Sequence, residues 1–226
     1  MSTLFVVATP IGNVEDMTFR AVRILREVDV IAAEDTRRTR ILLDKCDIRV
    51  KRLVSCRARN EDVSARGIVK LLGQGFKVAY VTDAGTPAVS DPGARLVNMV
   101  RAKGFEIVPI PGASAVTTLV SAAGMVGKGF LFEGYLSPRA GKRRRRLEKL
   151  IEGGMRFVVY ESPARIIGLC EILAELCPSR NIFVGKELTK KFEECILGKA
   201  DEVLSKLSKI DRIRGEFTVL VGAQER

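Results

Sequence analysis

The stretch that decides the fold reads VAYVTDAGTPAVSDPG and runs from Val78 to Gly93. Its first residues form a short apolar run, which is typical of a buried strand, and Asp, Gly and Pro end that run at once. Gly85 allows the backbone to turn, and the two prolines prevent the strand from continuing. Ser90 or Asp91 is expected to cap the following helix. Open α/β sheets hold ligands in loops of this kind, although a single Asp-x-Gly is more often a plain turn.

The same order of strand, polar loop and helix recurs along the chain. Strands are predicted at 3–8, 28–33, 52–54, 76–81 and 105–110, and again at 130–132, 156–160, 182–184, 192–197 and 217–221. Helical patterns occupy 19–28, 60–72, 96–102, 114–124, the segment after 139, 164–176 and 201–207. The link before 192 is too short for a crossover helix, so strands of the second half are expected to pair antiparallel.

Polar residues cluster where the predicted strands end. The clusters lie at 9–13, 34–38, 55–61, 83–93, 111–114, 160–163 and 186–190. If the strands are mainly parallel, these segments converge on one rim and, with two domains, on one cleft. The dinucleotide pattern G-x-G-x-x-G is missing after the first strand, and so is the P-loop pattern, which disfavours a dehydrogenase and an ordinary NTPase.

Composition narrows the class of protein. The chain has 226 residues, of which 46% are hydrophobic, so it can bury the core of one large or two small domains. No apolar run approaches the ~20 residues of a membrane helix, and the first residues lack the basic region of a signal peptide. The five cysteines are odd in number and form no C-x-x-C pair. We expect a cytoplasmic protein with no membrane partner, no disulfide and no zinc site.

The net charge of +11 favours a polyanionic partner. Its centre is the basic segment, Arg139–Lys149, which contains Arg139, Lys142, Arg143, Arg144, Arg145, Arg146 and Lys149. A solvated helix start is the plain alternative. The helix macrodipole, however, disfavours cations in a first turn, and phosphates that meet these side chains explain the arrangement better.

The chain contains no histidine, which removes several chemistries. A Ser-His-Asp triad, an imidazole base and a His-liganded metal are excluded. Proton transfer falls to Asp, Glu, Lys, Tyr, Cys or water. Neighbouring carboxylates such as Glu34 and Asp35 point to opposite faces of a strand, so no metal is expected.

Eight motifs, in order along nearly the whole chain, together resemble the RsmI family of small-subunit rRNA methyltransferases within the tetrapyrrole-methylase superfamily. They read LFVVATPIGN (4–13), AAEDTR (32–37), TDAGTP with SDPG (82–93), PIPGASA (109–115), FEGYL (132–136), YESP (160–163), ELTK (187–190) and GEF (215–217). The resemblance implies an α/β, two-domain tetrapyrrole-methylase-like fold. An N-terminal domain, 1–113, has a mainly parallel sheet with helices on both faces, faces RNA and forms part of the cofactor cleft. A C-terminal domain, 114–226, has a mixed sheet with helices, completes the cleft and carries the basic segment.

The resemblance also implies S-adenosylmethionine as cofactor, 16S rRNA or the small ribosomal subunit as partner, and a homodimer. The implied reaction is methylation of a cytidine 2′-hydroxyl in the decoding region. Carried over by motif, the cofactor contacts are Pro10, Asp83, Ala84, Gly85, Ser90, Ser114, Ala115, Tyr160, Leu188 and Thr189. For each of them, a turn former or core residue is the plain alternative.

Because a ribose hydroxyl is a very weak acid, a base or a cation is expected beside it. Glu161 and Lys186 are the catalytic candidates, as polar groups at adjacent strand ends; Glu34 and Asp35 come next. The alternative is that Glu161 only pairs with Arg165. The expected RNA contacts are Arg37, Arg57, Arg59, Arg139, Lys142, Arg143, Arg144, Arg145 and Arg146.

Histidines that relatives usually carry near 36–39, 55–61 and 161–165 are absent here. If those histidines only touch RNA, Arg57 and Arg59 can replace them. Two alternatives therefore stay open: a catalytically impaired rRNA-binding homologue, and a tetrapyrrole (precorrin) C-methyltransferase, against which the arginine run argues.

Overall fold

The computed structural model describes residues 2–49, 52–125, 127, 129–210 and 212–223. The chain divides into two compact units, Met1–Ser114 and Ala115–Arg226. The sequence-based boundary was placed after residue 113. Both units are α/β, each with a five-stranded sheet, and the predicted fold class is confirmed.

The sheet of the N-terminal unit is parallel throughout. It contains β1 (Thr3–Val7), β2 (Val30–Ala33), β3 (Leu53–Ser55), β4 (Val78–Val81) and β5 (Glu106–Ile110), in the order β3-β2-β4-β1-β5. Its helices are α1 (Phe19–Glu27), α2 (Thr36–Lys45), α3 (Glu61–Gly73) and α4 (Ala94–Ala102). Because the strands are parallel, all five carboxyl ends lie at the same edge of the sheet.

Helices cover both faces of this sheet, as predicted. Side chains of α3 and α4 form one core with the strand residues that point their way, such as Leu4 and Tyr80. The residues that alternate with these, such as Val7 and Ala79, pack against α1 and α2 on the opposite face. Every position of the inner strands β2 and β4 is therefore buried, as expected for a parallel sheet between two helix layers.

Two local predictions for the N-terminal unit were wrong. Sequence patterning gave no helix after β2, but α2 begins directly behind Asp35, which caps it. Only Thr39 and Leu43 of α2 are buried, so the apolar stripe that would reveal the helix is nearly absent. Ser90 or Asp91 was also expected to cap α4, whereas the N-cap position is Gly93 and the capping oxygen comes from a distant glutamate.

The sheet of the C-terminal unit is mixed. It contains β6 (Phe130–Tyr135), β7 (Arg156–Glu161), β8 (Asn181–Lys186), β9 (Glu194–Lys199) and β10 (Phe217–Val221), in the order β6-β7-β10-β8-β9. Only β6 and β7 pair in parallel; the other three pairs are antiparallel, which confirms the prediction from the short β8–β9 link.

Helices also flank the second sheet. They are α5 (Ala115–Ala122), α6 (Ala140–Glu152), α7 (Ile166–Leu176) and α8 (Ala200–Leu207). One face packs against α6, α7 and α8 through a single apolar core. The other face meets α5, where Gly185 of β8 leaves room for the side chain of Leu119. Within the described ranges, no helix is both long and apolar enough to cross a bilayer.

Candidate functional site

The carboxyl rim of the N-terminal unit comprises the loops 8–13, 34–35, 56–60, 82–93 and 111–114, which follow its five strands. Three of these loops are joined by hydrogen bonds. The amide of Thr9 donates to the carbonyl of Gly85 at 2.9 Å, and the amide of Gly85 donates back at 3.0 Å. Thr86 Oγ1 donates to the carbonyl of Ala113 at 3.1 Å. The structure thus brings together the predicted cofactor segments around Pro10, Asp83–Gly85 and 111–114.

Two glycines allow these loops to lie this close. Gly85 has a φ of +75°, and a Cβ there would lie 3.3 Å from Cγ2 of Ile11. A Cβ on Gly112 would lie 3.0 Å from the Cβ of Ala8. The absence of a Cβ at these two positions therefore lets Ile11 and Ala8 pack directly against the main chain of the neighbouring loops.

Asp83 is tied to the start of α2. Its carboxylate accepts a hydrogen bond from the amide of Asp35 at 3.1 Å and pairs with Arg38 at 3.3 Å. Its own amide donates to Glu34 Oε2 at 3.3 Å. Burial raises the pKa of the Glu34 carboxyl, and the charge of Asp83 adds to that rise, while the hydrogen bond from the Asp83 amide opposes it. Glu34, proposed from sequence as a secondary catalytic candidate, therefore shares one network with a predicted cofactor residue.

Asp35 is committed to capping and to Arg37. It accepts a hydrogen bond from the Arg37 amide at 2.9 Å and binds the Arg37 guanidinium through two further bonds of 3.1 and 2.7 Å. These hydrogen bonds hold the pKa of the Asp35 carboxyl far below its usual range, and the charges of Arg37 and Arg57 contribute. Arg57 and Arg59 are exposed at the next loop, which contains the short 3-10 helix Ala58–Asn60. Three predicted RNA contacts therefore lie on this rim.

Glu61, the first residue of α3, anchors the far end of the loop 82–93. Its Oε1 accepts hydrogen bonds from the amides of Gly93 at 3.0 Å, Arg95 at 3.0 Å and Leu96 at 3.2 Å. The Tyr80 hydroxyl donates to the carbonyl of Pro92 at 3.0 Å. Local sequence does not reveal this cap, because its donor and acceptor groups lie more than 30 positions apart.

The middle of that loop projects outward. Ala88, Val89 and Ser90 are exposed, and Ala88 has a φ of 64°. A non-glycine residue in the left-handed region costs free energy and is typical of functional loops. Ser90, predicted from the family pattern as a cofactor contact, is therefore accessible between two anchored loop ends.

In the C-terminal unit, Glu161 ends β7 and its side chain is fully buried. Its Oε1 accepts the amide of Ser162 at 2.7 Å and pairs with Arg165 at 2.8 Å. Arg165 also donates to Ser162 Oγ at 3.1 Å and to the carbonyl of Leu136 at 3.5 Å. The alternative that the sequence left open, a structural Glu161–Arg165 pair, is what the side chains form. Glu161 Oε2 is buried and has no hydrogen-bond partner among the described residues.

Lys186, the other catalytic candidate, ends β8 and is partly accessible. Its Nζ lies 3.2 Å from Oε2 of Glu194, the residue opposite it on β9. The ammonium is thus held by the Glu194 carboxylate at the edge of the loop 187–193, and two of its three donor positions form no hydrogen bond with the part of the chain that the structure describes.

The loop after β8 contains two further residues in the left-handed region. Glu187 has a φ of 52° and Thr189 a φ of 67°, the latter a rare conformation for a β-branched residue. The Glu187 carboxylate accepts the amide of Glu216 at 3.0 Å and Lys190 Nζ at 2.7 Å, and the Thr189 amide donates to the Glu193 carboxylate. Leu188 lies between them and is buried. Strain held this firmly is characteristic of ligand-binding loops, so the loop fits the role predicted for Leu188 and Thr189.

Tyr160, the remaining cofactor candidate, lies in an aromatic cluster. Its ring meets the ring of Phe132 edge-on, with centroids 5.0 Å apart, and the ring of Tyr135 at 5.5 Å. Tyr135 was not a sequence-based site residue. Ser114 ends the first unit and Ala115 opens α5; both are half-buried.

The basic segment forms α6, but only part of it remains available to a ligand. Arg144 pairs with Glu175 at 2.6 Å and with Glu148 at 3.1 Å, and Arg146 binds Glu133 through two bonds of 2.7 and 2.6 Å. Arg143 is half-buried. The exposed cations of the segment that form no ion pair with another described residue are Arg139, Lys142, Arg145 and Lys149. Within the described residues, no group of three or more Cys, Asp or Glu side chains is arranged to hold a metal ion.

Solved structures identify the class of fold. The chain is similar to the methyltransferase CobJ, with a TM-score of 0.74, 22% identity and coverage of 100% of this chain and 97% of CobJ. It is also similar to diphthine synthase, with a TM-score of 0.75, 16% identity and coverage of 98% and 90%. At these identities the likeness concerns the fold alone. It is the two-domain α/β fold of tetrapyrrole-methylase-like enzymes.

Sequence comparison is more specific. The profile of the tetrapyrrole (corrin/porphyrin) methylases matches residues 3–204. A protein of Neisseria meningitidis serogroup B named ribosomal RNA small subunit methyltransferase I is 45% identical over 225 residues, 99% of this chain and 77% of that protein. The proteins of that name from Thermotoga maritima and Bacillus subtilis are 43% and 42% identical, over 100% and 98% of this chain and 100% and 75% of their own lengths. The chain belongs to the family of ribosomal RNA small subunit methyltransferase I, a family of methyltransferases.

Proposed function

We propose that this protein methylates 16S rRNA of the small ribosomal subunit, using S-adenosylmethionine, at the 2′-hydroxyl of a cytidine in the decoding region. The observation that carries the proposal is identity of 42–45% over at least 98% of the chain to proteins named for rRNA methylation. We also propose that the protein acts in the cytoplasm as a homodimer.

The residues of the carboxyl rim of the N-terminal unit fit the cofactor. Gly85 and Gly112 let the loops 8–13, 82–93 and 111–114 pack closely, and Asp83 offers a carboxylate of which about a quarter is exposed. When bound, the cofactor supplies a methyl group on a positively charged sulfonium. Carbonyl oxygens and carboxylates suit that charge, and no metal is needed for them to do so. The residues that hold the cofactor in this proposal are Pro10, Asp83, Ala84, Gly85, Ser90, Ser114, Ala115, Tyr160, Leu188 and Thr189.

Lys186 is the group we propose to lower the pKa of the ribose hydroxyl. Its single ion pair with Glu194 orients the ammonium and leaves donors for a substrate oxygen. Glu161 has a different role in the proposal. Because its carboxylate is buried against Arg165 and the Ser162 amide, it positions the loop 161–165 and does not contact the hydroxyl directly. Alignment of the hydroxyl oxygen with the methyl carbon, ~3 Å apart, supplies most of the acceleration.

For RNA, we propose that the exposed cations of α6 bind phosphates, together with Arg57 and Arg59 on the rim of the N-terminal unit. The paired Arg144 and Arg146 stabilise the C-terminal unit instead. Each phosphate contact is expected to contribute about 0.7–0.9 to the salt slope of binding.

The proposal is tested by incubating the protein with S-adenosylmethionine labelled in its methyl group. Assembled small subunits, naked 16S rRNA and a precorrin are offered separately. We expect label in RNA, in an alkali-resistant dinucleotide, because a methylated 2′-hydroxyl blocks cleavage. Label on a base contradicts the ribose assignment, and label in the precorrin contradicts the RNA assignment.

A catalytically impaired RNA-binding protein is the second candidate, favoured only by the absence of histidine from the chain. RNA binding and cofactor binding without methyl transfer would support it.

Replacing Asp83 by Asn tests the cofactor site, because D83N keeps the side-chain shape and removes the charge. We expect D83N to raise the cofactor KM about tenfold or more, since a charge-assisted hydrogen bond contributes roughly 1.5–3 kcal/mol. RNA affinity is expected to stay within about twofold, since Asp83 contacts no phosphate in the proposal.

A further inference from the structure

The C-terminal unit presents an exposed aromatic ring at the end of the strand that precedes a cationic helix. Tyr135, the last residue of β6, is 56% exposed, and α6 with its basic side chains begins five residues later. We propose that the Tyr135 ring stacks against an unpaired base of the RNA substrate while exposed cations of the basic segment hold phosphates further along the same RNA strand. This inference rests on the proposed function for the class of substrate, and it names the structural form of RNA that the site selects.

The ring is held from behind. Tyr135 and Tyr160 are register partners on the parallel strands β6 and β7, and their ring planes meet at 61°. Tyr160 in turn contacts Phe132 at 65°. A side chain already fixed by aromatic neighbours loses little entropy when a base covers its remaining face, which favours stacking.

A bulge in β6 directs the ring. The register between β6 and β7 shifts between Phe132 and Gly134, and Gly134 has a φ of 73°. Bulges re-aim the side chains that follow them. The extra residue, Glu133, binds Arg146 through two short hydrogen bonds, so the same bulge fastens α6 to the strand that ends in Tyr135. The strand that carries the ring is therefore fastened to α6, with the ring on the α5 face of the sheet and α6 on the other face.

The available charge suits a nucleic-acid strand. Lys142, Arg145 and Lys149 are spaced i, i+3 and i+7, which places them on one side of α6 along about 10 Å of helix. Arg139 lies four residues from Tyr135, so their Cα atoms are at most about 14 Å apart. Stacking on aromatic rings combined with a cationic track is how proteins bind single strands, whereas a duplex keeps its bases stacked inside.

The test compares wild-type protein with Y135A and Y135F, using fluorescence anisotropy. The probes are a single-stranded oligocytidine of about ten nucleotides and a blunt RNA duplex of similar length. We expect Y135A to weaken single-strand binding about fivefold or more, because one base stack is lost. Y135F keeps the ring and is expected to stay within about twofold of wild type. Duplex affinity is expected to be the same for all three proteins.

The double variant K142A/R145A serves as the matched charge control. It is expected to weaken both probes alike and to reduce the salt slope by about 1.4–1.8 for the two lost phosphate contacts. Equal loss of single strand and duplex in Y135A overturns the inference, as does no loss at all. A parallel fall in cofactor affinity, or a changed oligomeric state of Y135A, assigns the ring to the cofactor site or to a second copy and also overturns it.

The same experiment separates this inference from the proposed function. If wild-type protein methylates small subunits and Y135A binds RNA indistinguishably from it, the proposed stacking on Tyr135 is overturned and the proposed function stands. Wild-type protein that transfers no methyl group to RNA overturns the function. The difference between single strand and duplex then still decides whether Tyr135 is a stacking platform.

Discussion

Replacing Glu61 by alanine is expected to destabilise the N-terminal unit and to loosen the loop 82–93. One carboxylate oxygen accepts three backbone amides at the start of α4, at 3.0, 3.0 and 3.2 Å. Glu61 is 8% exposed, and the bonds to Gly93 and Leu96 are buried, so water does not replace the lost acceptor. Removing it leaves donors that have no alternative partner.

The magnitude follows from these contacts. Loss of a helix cap costs about 0.5–2 kcal/mol, and a hydrogen bond to a charged group contributes about 1.5–3 kcal/mol. Because the three bonds share one oxygen, their contributions do not simply add. We expect E61A to lower the free energy of unfolding by about 2–4 kcal/mol, and E61Q, which keeps a neutral acceptor, by about half as much.

Urea unfolding followed by far-ultraviolet circular dichroism measures this difference. Asp62 offers a matched control, because its neighbouring carboxylate pairs with Arg95 at 2.8 Å but both side chains are more than half exposed. D62A is expected to cost less than about 1 kcal/mol. If E61A unfolds at the same urea concentration as D62A, the capping role is refuted.

In methyl-transfer assays, E61A is expected to raise the cofactor KM more than the RNA KM, since the loop that Glu61 anchors carries Ser90.

Three further predictions test other parts of the structure. G93A is expected to destabilise the protein by about 1–3 kcal/mol more than G75A. Both glycines have a positive φ, but only a Cβ on Gly93 would meet another atom, Tyr80 Cε1 at 2.7 Å. Equal losses of stability in urea unfolding would contradict this prediction. Burial raises the pKa of the Cys56 thiol to about 11 and that of the Cys170 thiol to about 12. An aromatic disulfide reagent at about pH 8 is therefore expected to label the exposed Cys195 first. Earlier labelling of either buried thiol would count against its place in the core. Burial opposes ionisation of Glu187, but hydrogen bonds from Lys190 and the Glu216 amide outweigh burial and hold the pKa of the Glu187 carboxyl below 4.5. The stability that this carboxylate contributes is therefore present above that pH and lost below it, so E187Q is expected to lose less stability than wild type between about pH 6 and pH 3. Parallel pH profiles of stability for the two proteins would refute the coupling.

The alternation of strand, polar loop and helix was enough to predict both sheets and the position of the loops. Strand signals were strong because buried parallel strands such as Val78–Val81 are continuous apolar runs with polar residues directly after them. The helix α2 escaped prediction because it buries only two side chains, Thr39 and Leu43. The local pattern of apolar residues predicts helices that have a wide apolar stripe. It does not predict helices such as α2, whose start is fixed mainly by a capping residue.

The site was predictable as a set of segments but not as a set of contacts. The pairing of Arg146 with Glu133, and of Arg144 with Glu175, depends on how α6 packs on β6 and α7. Likewise, the capping of α4 by Glu61 and the left-handed backbone of Thr189 arise from tertiary neighbours. A sequence read locally therefore overstates how many arginines remain free to meet a ligand.

The order of strands in the first sheet has a consequence for how the chain acquires its shape during synthesis. The first two strands never touch each other; residues 78–81 insert between them, and residues 106–110 close the far side by pairing with residues 3–7. A nascent chain must therefore expose at least its first hundred residues before this layer is complete. Until then the emerging polypeptide carries unpaired edges, and early chaperone contact during translation would protect them.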